Sequence, residues 1–185
     1  MDTSSGSPIS DDRFHRTVER IGAEAFWLRT YQAAIEGMQV TAIGLDFFRV
    51  ALNALKDARL VRLIRVLEND SRTASFWYLR RTNAPLIEAA AKRAGLDLVE
   101  LEHIADRFVA IRNKTFMHID KDGVFDPQQF YIDAGITHAQ VARAIEGLWV
   151  TMKELHIATF GSEPRHDVYT GDDIRALAAL RDAAA

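Results

Sequence analysis

The chain has 185 residues, of which 48% are hydrophobic, and it contains four prolines, ten glycines and no cysteine. This composition excludes a disordered or low-complexity protein, and the length favours one well-packed domain over two. Without cysteine there are no disulfide bonds and no thiolate metal sites. The first twelve residues carry three aspartates and no apolar segment, and no apolar run is long enough to span a bilayer, so we expect a cytoplasmic protein.

The net charge of −3 is unevenly distributed along the chain. Residues 56–93 hold nine basic and four acidic side chains, although the protein as a whole is acidic. A locally basic face suits an RNA partner, because phosphate binding depends mainly on lysine and arginine. A solvated flank whose arginines pair with acidic neighbours explains the same pattern equally well. The charge pattern alone therefore leaves both interpretations open.

Apolar residues recur at helical spacing along most of the chain, which predicts an all-α, single-domain bundle of five to six helices. Residues 1–10 are small and polar and include a proline, so we interpret them as a flexible tail. The first helix is predicted from Asp12 to about Gly37, and a long second helix from Val40 to Leu67. The inner face expected for the second helix consists of Phe47, Val50, Leu55, Leu60, Leu63, Ile64 and Leu67.

Turn and capping residues divide the middle of the chain. Residues 69–71 predict a break, and a third helix is expected from Thr73 to Arg81, with its large side chains at 76–79 in the core rather than stacked on bases. Pro85 suits the first turn of a helix that ends at Gly95. Asp97 is expected to cap the helix that follows.

The last third of the chain is predicted to contain an irregular segment and two helices. Residues 126–135 form the irregular segment, after which Thr137 caps a helix that runs to about Ala158. We assign residues 11–160 to one helical domain and residues 161–185 to a linker and a C-terminal helix. That final helix, capped by residues 170–173, is interpreted as a frayed or partner-docking segment.

Two polar residues, Arg112 and His118, interrupt the apolar pattern of the helix that begins at Asp97. Six helical residues rotate by roughly 600°, so the two side chains lie about 120° apart and do not meet within one helix. Two copies packed antiparallel across a twofold axis would bring the arginine of one chain close to the histidine of the other. The spacing therefore predicts a composite site at the interface of a homodimer.

The residue types at this site suit RNA cleavage without a metal or other cofactor. The imidazole of His118 titrates near neutral pH and can act as general acid or base. The guanidinium of Arg112 stays charged and can bind phosphate oxygens through several N–H donors. Asn113 can donate an amide hydrogen bond to phosphate, and Asp120 can orient the imidazole. The remaining histidines show no spacing typical of metal ligands.

Arg112-Asn113-x4-His118 resembles the R-x(4–6)-H signature of the HEPN superfamily of helical ribonucleases. The stretch 111–120, followed by Asp126-Pro127, Phe130 and residues 134–137, is similar to the abortive-infection AbiU-type branch. The resemblance implies a HEPN-like bundle, a homodimer formed through the motif helices and metal-independent cleavage of RNA. It also implies a role in phage defence or toxin–antitoxin growth arrest, with an antitoxin as a possible protein partner.

Two other classes of function fit the same sequence. In a non-catalytic helical interaction or regulatory module, or an antitoxin partner, Arg112 and His118 would only stabilise an interface. A helical RNA-binding protein without cleavage activity would use the basic stretch, with Arg80, Arg81 and Lys114 as the expected RNA contacts.

Overall fold

The computed structural model describes residues 8–41, 46–112, 132–167 and 169–184. Within these ranges the chain is all-α, which confirms the predicted fold class, and it forms seven helices and one helical turn at residues 132–134. Six helices lie before residue 161 and the seventh is the C-terminal helix. The helices are α1 (Pro8–Thr41), α2 (Asp46–Val66), α3 (Phe76–Thr82), α4 (Ala84–Ala94), α5 (Leu98–Ile111), α6 (His138–Phe160) and α7 (Asp172–Ala184).

Helix α1 is the central element of the bundle and packs against α2, α3, α6 and α7. Its apolar stripe is buried as predicted and consists of Phe14, Val18, Ile21, Ala25, Leu28 and Ile35. The helix extends beyond the predicted range at both ends, and residues 8–10 are helical although they were assigned to the tail. A proline is tolerated in the first turn of a helix, since its missing N–H has no intrahelical partner there.

Among the described side chains of α2, those of the C-terminal half join the core, while the side chain of Phe47 lies outside the described residues. Leu63, Ile64 and Leu67 are buried as predicted, and Leu60 packs against them. The expectation that Val50 faces inward is wrong, because its surface is 64% exposed. Val50 lies about 15 Å along the helix from Leu60, at 1.5 Å per residue, and therefore lies beyond the part of α2 that packs in the core.

The short helices α3 and α4 are joined by a single residue, Asn83. Its backbone N–H donates to the Leu79 carbonyl at the end of α3, and its side-chain oxygen accepts from the Leu86 N–H at the start of α4. Helix α3 begins later than predicted, at Phe76, because the Ser75 side chain accepts from a backbone N–H of the first turn. The predicted core assignment of its large side chains is confirmed for Phe76, Trp77 and Leu79.

Capping contacts confirm the predicted end of α4 and the predicted starts of α5 and α6, whereas the predicted continuation of α5 through His118 lies outside the described residues. Gly95 ends α4 with φ of 67°, a left-handed conformation that glycine adopts without steric cost. Asp97 accepts hydrogen bonds from the N–H groups of Val99 and Glu100 at 2.8 and 3.1 Å. Thr137 and Gln140 form a capping box at the start of α6.

Helix α6 buries its apolar face in the bundle. It packs against α1 and α4, and the buried residues of that face are Val141, Ala144, Ile145, Leu148, Met152 and Leu155. The apolar positions predicted for α5, from Leu101 to Ile111, are buried as well. Residues 132–134 are helical, although they were predicted to be irregular.

Helix α7 is docked on α1 through a close approach of two backbones. A Cβ atom placed on Gly171 would lie 2.8 Å from the Ala33 carbonyl oxygen, and one on Gly37 would lie 3.3 Å from the Gly171 carbonyl oxygen. Gly171 also has φ of 76°, which disfavours any larger residue. The predicted frayed or partner-docking helix is therefore bound to the same chain's own first helix.

The helical glycines Gly147 and Gly22 provide a matched test of this packing. A Cβ atom on Gly147 would lie 2.8 Å from Leu96 Cδ1 and 3.2 Å from Leu96 Cβ, whereas a Cβ atom on Gly22 meets no atom within 4 Å. We expect Gly147→Ala to lower the free energy of unfolding by roughly 1–3 kcal/mol through overpacking. Gly22→Ala should raise it by about 0.5–1 kcal/mol, because alanine is the better helix former. Urea denaturation measures both changes, and a stabilised Gly147→Ala would contradict the packing of α6 on the segment after α4.

Candidate functional site

Arg112 lies directly after α5 and is held there by contacts with two parts of the same chain. Its backbone N–H donates to the carbonyl groups of Phe108 and Val109, so the helical backbone continues through this residue. Its Nη1 atom donates to Oε1 of Glu68 at 2.8 Å, which joins the end of α5 to the segment after α2. The structure therefore gives Arg112 a defined position near the C-terminal ends of these two helices.

The ion pair between Arg112 and Glu68 is partly open to solvent. The side chains of Arg112 and Glu68 are 29% and 32% exposed, so water and salt screen their attraction. Such a pair contributes on the order of 0–1 kcal/mol to stability. Loss of this pair alone should therefore cost little stability.

The other residues predicted for the catalytic site lie outside the described residues. These residues are Asn113, His118 and Asp120, and the predicted RNA contact Lys114 lies outside as well. The composite site in which Arg112 of one chain meets His118 of another, and the homodimer that would create it, stay predictions.

Arg80 and Arg81, the remaining predicted RNA contacts, both hold nearby parts of the chain. Arg80 contacts the Glu88 carboxylate at 3.1 Å, and its guanidinium lies over the Trp77 ring at 5.9 Å from the ring centre. Arg81 donates to the Asn69 side chain at 2.7 Å and to the Asp70 carbonyl oxygen at 3.4 Å. These contacts fit the interpretation of the basic stretch as a flank paired with its neighbours.

Glu24 is the largest centre of charge pairing within the described residues. Its carboxylate, on α1, is only 8% exposed and contacts Arg62 at 2.5 Å, Arg65 at 3.0 Å and Arg20 at 3.1 Å. The Arg62 guanidinium also lies over the rings of Trp27 and Tyr31. Two arginines of the basic stretch are therefore used to hold α2 on α1.

A cavity of about 620 Å³ lies between α2, α5 and the start of α6. Its volume falls within the range of roughly 300–1,000 Å³ that is typical of small-molecule sites. Apolar side chains form one part of its wall, among them Leu63, Phe108, Ile111 and Val141. Since Ile111 directly precedes Arg112, the cavity and the first residue of the R-x(4–6)-H motif are adjacent along the chain.

Polar side chains from α2 and α6 form the rest of the cavity wall, and they are Asn53, Lys56, Asp57, Arg59 and His138. The half-buried Arg59 donates from Nη1 to Oε1 of Gln32 at 2.6 Å and approaches Nε2 of His138 at 3.4 Å. Because a guanidinium only donates, Nε2 of His138 accepts at this contact only when it carries no proton. The cavity thus presents hydrogen-bond donors and acceptors on one side and apolar surface on the other.

Electrostatic effects at the cavity act on Arg59 and His138. Burial lowers the pKa of Arg59 from its ordinary value, and the negative charge of Glu36 opposes that change. Partial burial, Arg59 and Lys56 lower the pKa of His138, again against Glu36. His138 therefore favours the neutral form near neutral pH, while Arg59 remains charged.

Within the described part of the chain, no group of three or more histidine, aspartate and glutamate residues is arranged to hold a metal ion. The helices of these same residues include none with the length and apolar character required to cross a membrane.

The cavity was not predicted from the sequence. Lys56 and Arg59 were recognised only as members of the basic stretch, and His138 only as a histidine without metal-ligand spacing. Their approach joins residues 79 positions apart, and no local pattern encodes such a contact. The sequence feature that points to the cavity is the spacing of Lys56 and Arg59, which lie one helical turn apart on α2, the helix that packs against α5.

Comparison of the chain with known proteins gives no matching family model, no matching curated protein and no matching solved structure.

Replacing Glu24 by glutamine should destabilise the protein. The substitution keeps the shape of the side chain but removes the negative charge that three arginines contact, and the side chain of Arg62 is only 24% exposed. We expect a loss of about 1–3 kcal/mol in the free energy of unfolding, measured by urea denaturation. Glu88→Gln is the control, because its pair with Arg80 is half exposed and should contribute less than about 1 kcal/mol. Equal losses in the two variants would contradict the role assigned to Glu24.

The pKa of His138 should lie below the ordinary histidine value of about 6.5. Because the folded pKa is depressed, His138 contributes stability above pH 6.5 that is lost as the pH falls through the folded pKa. An NMR titration of the imidazole protons measures this value directly, and His138→Gln assigns the resonance. A midpoint at or above 6.5 would contradict the described surroundings of the ring.

Proposed function

We propose that this chain is a HEPN-type, metal-independent endoribonuclease that acts as a homodimer in phage defence or as the toxin of a toxin–antitoxin pair. The proposal rests on the resemblance of residues 111–120 to the HEPN motif within an all-α fold. The single structural observation that supports it is the position of Arg112, which is fixed by Glu68 at the end of α5, next to a cavity with a polar wall.

In this proposal the attacking group is the 2′-hydroxyl of the RNA itself. A His118 imidazole takes the hydroxyl proton, the 2′-oxygen bonds to phosphorus, and the bond from phosphorus to the 5′-oxygen breaks. The second His118 of the dimer protonates the leaving 5′-oxygen, and Arg112 binds the phosphate oxygens as negative charge develops on them. The products are a 2′,3′-cyclic phosphate and a free 5′-hydroxyl.

A second candidate function is favoured by the ion pair between Arg112 and Glu68. This contact gives Arg112 a structural role within one chain, as expected for a helical interaction module or an antitoxin partner without activity. The contacts of Arg80 and Arg81 with neighbouring residues weaken the third possibility, in which these two residues bind RNA without cleavage.

RNA cleavage in the presence of EDTA tests the leading proposal. We expect His118→Ala and Arg112→Ala each to reduce the cleavage rate by at least about 100-fold, since proton transfer contributes roughly 10²–10⁴. The products of the wild-type protein should carry a 2′,3′-cyclic phosphate, and substrates with 2′-deoxyribose should resist cleavage. Mass spectrometry of the products and sedimentation of each variant provide the readouts.

His103→Ala and Arg107→Ala are matched controls, because both residues are exposed on α5 and lie outside the motif. They should cleave RNA as the wild type does. A dimeric wild-type protein that leaves RNA intact would favour the interaction module. A strict monomer, or a cleavage rate that is insensitive to Arg112→Ala, would overturn the composite site.

A further inference from the structure

The cations of the cavity between α2, α5 and α6 differ from most arginines of the basic stretch in how they are paired. Five arginines elsewhere in this stretch contact carboxylates directly, whereas Arg81 donates to the Asn69 side chain and the Asp70 carbonyl oxygen. The five are Arg62, Arg65, Arg72, Arg80 and Arg93. Arg59 instead donates to the neutral side chain of Gln32. Lys56 has no ion pair with a carboxylate of the described residues. Within the described part of the chain, the cavity therefore contains two cations that no carboxylate contacts directly.

The charge at the cavity wall suits a ligand with one phosphate group. Lys56 and Arg59 are positive and Asp57 is negative, so the charged wall residues that the structure describes sum to one positive charge with His138 neutral. Glu36 acts on Arg59 and His138 from α1 and further limits the negative charge that the cavity can accept. A triphosphate would meet repulsion from both carboxylates.

The remaining wall suits a planar ring. Leu60 and Ile136 of the cavity wall are partly exposed and offer apolar surface for the faces of a nucleobase, and the wall also includes the almost completely buried Phe108 and Val141. Asn53 and Asp57 can hydrogen-bond to the edge of a base or to a ribose hydroxyl. A ligand that joins a flat ring to one phosphate uses both parts of the wall at once.

We propose that this cavity binds a single nucleotide unit, with its base on the apolar wall and its phosphate at Lys56 and Arg59. The chemistry is shared by a free nucleoside monophosphate and by one unpaired nucleotide of an RNA chain. The RNA source rests on the proposed function, since the cavity would then hold a nucleotide beside the bond that is cleaved. The free nucleotide requires no nuclease activity.

Isothermal titration of the full-length protein with the four nucleoside 5′-monophosphates tests the site. Inorganic phosphate and uncharged nucleosides should each bind at least about 10-fold more weakly, because each uses only one part of the wall. Lys56→Ala should weaken nucleotide binding by roughly 10-fold or more, and Lys56→Glu should weaken it further. Lys92→Ala is the matched control, because Lys92 is exposed at the end of α4, and it should bind as the wild type does.

The surroundings of His138 provide a second readout. Nucleotide binding should raise the pKa of His138, because a phosphate adds negative charge near a ring that Lys56, Arg59, Asp57 and Glu36 surround. The NMR titration midpoint of His138 should therefore move to higher pH on addition of nucleotide. An unchanged midpoint at saturating nucleotide would place the ligand elsewhere and overturn the proposal.

Binding of a short single-stranded RNA separates the two sources. If the cavity holds an RNA nucleotide, Lys56→Glu should weaken RNA binding and free monophosphates should compete with the RNA. If only free nucleotides bind there, RNA binding should be insensitive to Lys56→Glu. Absence of binding by monophosphates up to millimolar concentration, together with RNA binding that Lys56→Glu leaves unchanged, would overturn the site.

The failure of this site and the failure of the nuclease proposal give different results. If His118→Ala and the wild type bind nucleotide equally and neither cleaves RNA, the cavity is confirmed and the nuclease proposal fails. If wild type and Lys56→Glu cleave RNA with the same KM and neither binds monophosphates, the nuclease proposal remains and the cavity site is wrong. Thermal unfolding of each variant verifies that it is folded.

Discussion

Burial of the apolar stripe of α1 is the constraint on which the bundle depends. This helix has 34 residues and therefore extends for about 50 Å, and four of the six other described helices pack on it. A single helix of that length cannot bury its stripe by itself, so α2, α3, α6 and α7 each cover part of it. Glu24 lies beside this stripe and uses its charge to hold α2 in place through Arg62 and Arg65. Packing and charge pairing thus act at the same interface.

Charge pairing within the chain also determines which lysine and arginine side chains are available to bind a ligand. Most arginines of residues 56–93 contact carboxylates or carbonyl oxygens of the same chain, so much of the local positive charge is paired within the chain. Lys56 and Arg59 line the cavity, where Arg59 donates to the neutral side chain of Gln32. The ion pair between Arg112 and Glu68 is exposed enough to contribute little stability, although it holds the Arg112 side chain in a defined position. The candidate functional residues therefore lie along α2 and at the end of α5.

Local sequence patterns predicted the helices well, but they did not predict contacts between residues that are far apart in the chain. The cap residues Asp97 and Thr137 act within three residues of themselves, so a sequence pattern is enough to identify them. Val50 was misjudged because helical spacing marks a face without showing how far a neighbouring helix covers it. The Arg112 partner is 44 residues away and the Arg59 contact with His138 spans 79 residues, distances at which no periodicity is informative. The R-x(4–6)-H motif was recognised from its residue types and their spacing.

The docking of α7 has a consequence for how this part of the chain tolerates change. Its closest contact with α1 joins main-chain atoms at Gly171 and Ala33, with Gly37 leaving room for the approach. The position of the helix is thereby set largely at its first turn, by atoms that every residue type shares. Leu177 and Leu180, in the turns that follow, are exposed, so substitutions at these two positions should change the docking little. The glycines at the crossing, by contrast, admit almost no substitute.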